Sequence, residues 1–120
     1  MIRIVFHKKD GQYISLRSEG HAGKRTLGGF FKLFWPKEYG NILCSAISVL
    51  LLQFKVNITT IEKARLLIDI ERKGFMELVV CDADAPRIRS YFEGLIVMLK
   101  SIELQHKDRL RIIMEDIHVT

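Results

Sequence analysis

The chain has 120 residues, 48% hydrophobic and 28% charged, which is material for one compact core and one domain. No run of about 18 consecutive apolar residues exists, and the densest stretch, Ala46 to Phe54, is half of what a bilayer needs, so no membrane association is expected. Two cysteines cannot form the staple framework of a small secreted domain, and Met1-Ile2-Arg3-Ile4-Val5-Phe6-His7 lacks the order of a signal peptide, so a reducing cytoplasm is the expected setting.

The formal net charge of +5 is unevenly placed. Residues 1–40 hold eight Lys/Arg against three Asp/Glu, whereas residues 41–120 hold eleven of each. The first third therefore carries the whole excess, either as a solvated face or as a contact for nucleic acid or an acidic surface.

Ile2, Ile4 and Phe6 alternate with Arg3, Val5 and His7, and a second alternation through Ile14, Leu16 and Ser18 follows the turn signal Lys9-Asp10-Gly11. This predicts an N-terminal hairpin. From Gly20 to Gly40 the periodicity is lost in a segment rich in glycine that also holds Pro36, which predicts a long loop, extended over residues 24–40.

Asn41 stands where a helix would be capped, and Ile42 to Phe54 are apolar on nearly every side, which predicts a buried helix. Asn57 to Thr60 are expected to form a linker. Leu66, Ile68 and Ile70, then the turn at Arg72-Lys73-Gly74, then Met76, Leu78 and Val80 predict a second hairpin. Asp84-Ala85-Pro86 signals a helix start, and Ile88, Tyr91, Phe92, Leu95, Ile96, Leu99 and Ile102 recur at helical steps. Leu110, Ile112 and Met114 give a final strand. The expected architecture is α+β, a mainly antiparallel sheet with two packed helices in the order β-β-α-β-β-α-β.

Chemistry is suggested by one histidine in the glycine-rich loop, Gly20-His21-Ala22-Gly23, and one cysteine at the expected helix start, Asn41-Ile42-Leu43-Cys44. With Asn41 as the N-cap, Cys44 takes the third helical position, where unpaired N–H groups and the helix dipole favour a thiolate. An imidazole titrates in the right range to accept the thiol proton and to protonate a leaving amine, and the same N–H groups could hold an oxyanion. The plainer reading is a small core cysteine and a solvated loop histidine. Cys81 is expected to be a buried structural thiol. His7, His106 and His118 have no partner at metal-ligand spacing, so neither a metal nor another cofactor is expected.

Gly20-His21-Ala22-Gly23 and Asn41-Ile42-Leu43-Cys44-Ser45-Ala46-Ile47-Ser48 resemble the two signature blocks of the ribosomal-processing cysteine protease family, Prp. The resemblance implies a cytoplasmic bacterial endopeptidase, usually a homodimer, that removes a short N-terminal extension from a large-subunit ribosomal protein. It implies Cys44 as nucleophile, His21 as general base and Ser48 as a supporting hydroxyl, with Gly20 and Gly23 allowing the turns that aim the histidine.

Two features depart from the family. Asn41 replaces an acidic residue, and the loop between His21 and Cys44 is about ten residues longer than the family's. They motivate a second reading, a non-catalytic homologue that binds a ribosomal protein or an assembly intermediate. The loop interleaves Lys24, Arg25, Lys32 and Lys37 with Phe30, Phe31, Phe34 and Trp35, which suits core or dimer packing, a substrate flap or RNA stacking. The basic first third would repel a free ribosomal protein and suit one already seated on ribosomal RNA, so a ribosome or ribosomal RNA contact is also expected.

Overall fold

A computed structural model of the chain describes residues 1–20 and 36–117, with side chains of the first helix described from Ile42 onward. The elements in chain order are β1 (Ile2–Lys9), β2 (Gln12–Glu19), α1 (Pro36–Val56), a π-helical turn (Asn57–Ile61), β3 (Leu66–Arg72), β4 (Phe75–Val80), a 3-10 turn (Asp82–Ile88), α2 (Arg89–Gln105) and β5 (Leu110–Ile117). The five strands form one sheet in the order β3-β4-β2-β1-β5. Three pairings are antiparallel, and β5 joins β1 in parallel after the crossover through α2. The predicted α+β class and element order hold.

Strand periodicity decides the faces. Ile2, Ile4 and Phe6 of β1 are buried, as are Leu16 of β2, Met76, Leu78 and Val80 of β4 and Leu110 of β5. Register places Phe6 opposite Leu16 and Leu16 opposite Leu78, so these side chains share one face. Onto it pack Leu43, Ile47, Leu51 and Phe54 of α1 and Phe92, Leu95, Ile96 and Leu99 of α2, at the three- and four-residue steps of a helix face. Phe92 lies at the centre of this core. Its ring stacks on Tyr13 at 5.5 Å and meets the edges of Phe54 at 4.7 Å and Phe6 at 6.2 Å.

Four local expectations are corrected. The first helix begins at Pro36, not after Asn41: proline's fixed φ and missing N–H suit the first turn, so Pro36 starts the helix that the glycines around it seemed to forbid. Asn57 to Thr60 are not a free linker but a π-helical turn that continues α1 and buries Ile58. The β-branched run Val56, Ile58, Thr59, Thr60 and Ile61 crowds an α-helix, and Thr59 Oγ1 donates to the Lys55 carbonyl at 2.7 Å. Asp84 caps no helix, and its carboxylate accepts the backbone N–H of Arg65 at 2.9 Å.

The fourth correction concerns β3. A register shift between Leu66 and Ile68 turns Ile68 and Ile70 to the face away from the helices, opposite Val79 and Glu77, and turns Asp69 and Glu71 to the helix side, opposite Leu78 and Met76. Alternation in sequence reveals two faces without saying which is inside.

Averaged over 20 residues, Ile42–Ile61 is long and apolar enough to cross a membrane by length and composition, which a count of consecutive apolar residues misses. Within the fold one face of this segment is core, through Leu43, Ile47, Leu51, Phe54 and Ile58.

Candidate active site

Gly20 directly follows β2 with φ at +103°, and a Cβ built there would lie 2.1 Å from the carbonyl oxygen of Met1. Only glycine fits this position. Its N–H donates to the Gly74 carbonyl in the β3–β4 turn at 2.9 Å, which fixes where the chain leaves the sheet toward residue 21.

Cys44 is half-buried on α1 and packs against the core cluster. Ser48 follows one turn later and is exposed. Eleven residues, close to three turns, separate Cys44 from Lys55, so the two side chains leave α1 on the same flank, about 16 Å apart along the axis. Lys55 Nζ lies 2.8 Å from Asp69 Oδ1 and also contacts Glu71 Oε1, which ties this flank to β3. Hydrogen bonding to Asp69 and then to Glu71 raises the Lys55 pKa above its usual value.

The direction of β3 locates the cysteine. The C-terminal end of α1 feeds β3 through the π turn, so β3 runs back along α1, and Cys44 lies toward the Lys73-Gly74 end of the hairpin. Gly20 is bonded at that same end. Topology thus brings the exit toward residue 21 and the Cys44 flank of α1 to one end of the sheet. His21, Gly23 and loop residues 24–35 lie outside the described residues, as does His118.

The helix start at Pro36 changes the chemistry of the cysteine. Cys44 is at the ninth position from Pro36 rather than the third, and Asn41 is inside the helix rather than at its cap. The dipole effect falls off within the first turn, and interior N–H groups are engaged in the helix, so the helix terminus neither activates this thiol nor supplies its oxyanion donors. Cys81 is half-buried rather than buried, and its N–H donates to the Arg65 carbonyl at 2.9 Å.

Sequence reasoning missed two polar clusters. His7 Nδ1 lies 2.9 Å from Ser15 Oγ and its Nε2 3.0 Å from Glu115 Oε2, joining β1 to both neighbouring strands. Asp84 is 6% exposed and gathers Arg65 and Arg87, while Arg87 also donates to the Glu62 carbonyl at 2.7 Å and Tyr91 Oη donates to Glu62 Oε2 at 3.0 Å. Apart from Arg87 and Asp84, which are three positions apart, these contacts join residues from 8 to 108 positions apart, so no local motif announces the clusters. Among the described residues no group of three or more His, Cys, Asp or Glu side chains is arranged to hold a metal. A groove of about 250 Å³ between the helices, lined by Leu50, Asn57, Tyr91 and Gly94 among others, lies toward the other end of α1 from Cys44.

Comparison with known proteins places this geometry in a family. The ribosomal processing protease Prp of S. aureus with a covalently linked product peptide is 18% identical, superposes with a TM-score of 0.73, and the match covers 95% of this chain and 99% of that one. The same protease with a substrate peptide is 16% identical with a TM-score of 0.74, over 95% and 99% of the two chains. The SMU.848 protein of Streptococcus mutans is 18% identical with a TM-score of 0.73, over 98% and 96%. At these identities the likeness establishes the fold. No curated protein matches the chain. The model of the family described as cysteine protease Prp matches residues 1–111, nearly the whole chain, and the chain belongs to that family.

Proposed function

We propose that this chain is a cytoplasmic cysteine endopeptidase that removes the N-terminal extension of a bacterial large-subunit ribosomal protein. The observation that carries the reading is the shared end of the sheet: the Gly20–Gly74 bond fixes the exit toward His21 at the end where the Cys44 flank of α1 lies. In this mechanism His21 takes the Cys44 thiol proton, the sulfur attacks the scissile carbonyl carbon, and the C–N bond breaks as the imidazolium protonates the leaving amine. Water, deprotonated by His21, then hydrolyses the thioester and restores the thiol. Gly20 and Gly23 shape the loop, Asn41 lies one turn before the nucleophile on α1, and Ser48 presents a hydroxyl one turn after it.

The test is direct. Incubated with a peptide spanning the extension and the start of the mature ribosomal protein, the wild-type chain yields two fragments by mass spectrometry. Cys44→Ala and His21→Ala yield none. An intact peptide after prolonged incubation with the wild-type chain overturns the assignment.

The second reading, a non-catalytic homologue that binds the ribosomal protein or an assembly intermediate, is favoured by the start of α1 at Pro36, which takes Cys44 out of the first helical turn. Iodoacetamide near neutral pH separates the two. Faster alkylation of Cys44 than of Cys81, lost in His21→Ala, supports the enzyme, and equal rates support the binder.

The homodimer reading is supported by the outer face of α1. Ile42, Val49 and Val56 recur every seven residues with Leu52 between, and all four are exposed. Contact with ribosomal RNA has thinner support, because much of the described basic excess is engaged within the fold. Lys9 pairs with Asp82 at 2.8 Å, Arg17 sits over the Phe75 ring at 5.4 Å and Lys8 over Tyr13 at 4.8 Å.

A further inference from the structure

The sheet has two edges, and they are treated differently. At the β5 edge the Glu103 carboxylate of α2 accepts the Ile112 N–H at 2.7 Å, so a side chain occupies the backbone there. At the β3 edge the described residues offer no such cover. Leu67 is 66% exposed, and Ile68 and Ile70 are exposed beside it, so the strand is also apolar. An apolar edge strand left open is a template for another extended chain.

The pairing shows which groups face outward. The Lys73-Gly74 turn is closed by Arg72 and Phe75, and bonded and non-bonded pairs alternate from there, so Ile68 and Ile70 spend their backbone groups on β4. Asp69 and Glu71 therefore direct their N–H and C=O groups to the open side. Their side chains lie on the helix side, where two carboxylates share the single ammonium of Lys55. A strand added here would meet net negative charge on the helix side and Ile68 and Ile70 on the other.

We propose that the β3 edge is the docking strand for the substrate, receiving an extended segment whose basic and apolar residues alternate. This rests on the protease reading, because it makes Cys44 the point toward which the docked chain leads. Cys44 lies about 16 Å along α1 from Lys55, which is about five residues of extended chain. The alternation is therefore read about five residues from the scissile bond. Basic side chains face Asp69 and Glu71, so the acidic edge attracts a basic protein that the first third of the chain would repel.

The experiment uses a fluorescein-labelled octapeptide alternating lysine and valine, titrated against the full-length Cys44→Ala chain by fluorescence anisotropy. In a docked strand the N–H groups of alternate residues point at β3, so methylating the backbone nitrogens of one residue type weakens binding by about tenfold or more and methylating the other type changes it by less than about twofold. Exchanging lysine for glutamate in the peptide weakens binding, and Asp69→Asn with Glu71→Gln abolishes the preference for lysine. Equal effects of the two methylation series, or no binding, overturn the edge proposal. Each reading fails on its own readout: cleavage of the ribosomal peptide with no methylation phase leaves the protease standing without the edge, and phased binding with no cleavage leaves the edge without the protease.

Discussion

At the scale of single residues, Gly20 joins stability to the site. Its positive φ and the 2.1 Å approach of a Cβ to Met1 leave no room for a side chain, so Gly20→Ala must shift the backbone at the residue that precedes His21. We expect a loss of about 2 kcal/mol or more in urea unfolding, together with a drop in peptide cleavage. Asp84 is structural instead. The Arg65 backbone N–H, with help from the Arg65 and Arg87 guanidiniums, holds its carboxyl below the usual carboxylate range. A lowered folded-state pKa means that the stabilisation is fully present above about pH 4 and fades as pH falls through the folded value. Asp84→Asn is expected to melt earlier than the wild type at neutral pH, with the gap narrowing in strong acid. A constant gap across thermal melts from neutral to strongly acid pH would contradict this account.

At the scale of elements, both helices pack apolar faces onto the sheet, and α1 carries an additional tie along one flank. Phe92 of α2 reaches Phe54 of α1, Phe6 of β1 and Tyr13 of β2 with a single ring that is 1% exposed. Phe92→Ala is expected to cost about 3–5 kcal/mol in chemical denaturation, because no neighbour on three elements can collapse into the space. The flank of α1 is further tied to β3 by the partly exposed ions Lys55, Asp69 and Glu71, worth about 1 kcal/mol or less. The apolar run of α1 was legible, but it reads as buried on nearly every side, whereas the structure buries one face and exposes Ile42, Val49, Leu52 and Val56; its start was not legible either. The glycine-rich approach masks a helix that Pro36 opens, and with the start misplaced the helix-dipole account of Cys44 falls away. The β3 bulge defeated the strand reading in the same way, since one shifted residue exchanges the faces of everything after it.

For the whole molecule, the exposed stripe Ile42, Val49, Leu52 and Val56 runs along the outer side of α1, away from the core residues of the same helix. Two like charges on this stripe, Val49→Glu with Leu52→Glu, are expected to turn a dimer into a monomer in sedimentation velocity while leaving the circular dichroism spectrum intact. A wild-type chain that already sediments as a monomer would remove the homodimer from the proposed function. The sequence by itself determined the α+β class, the order of elements, the core face of α2 and, through two short blocks, the family, because each of these is written in local periodicity or in a contiguous motif. Only the tertiary structure decided which face of β3 is inside, that β5 joins β1 in parallel, that Asp84 serves Arg65 rather than its own helix, and that the Cys44 flank of α1 shares an end of the sheet with Gly20. These depend on contacts between residues far apart in the chain, where the free energy of burial and pairing overrides what neighbouring residues prefer.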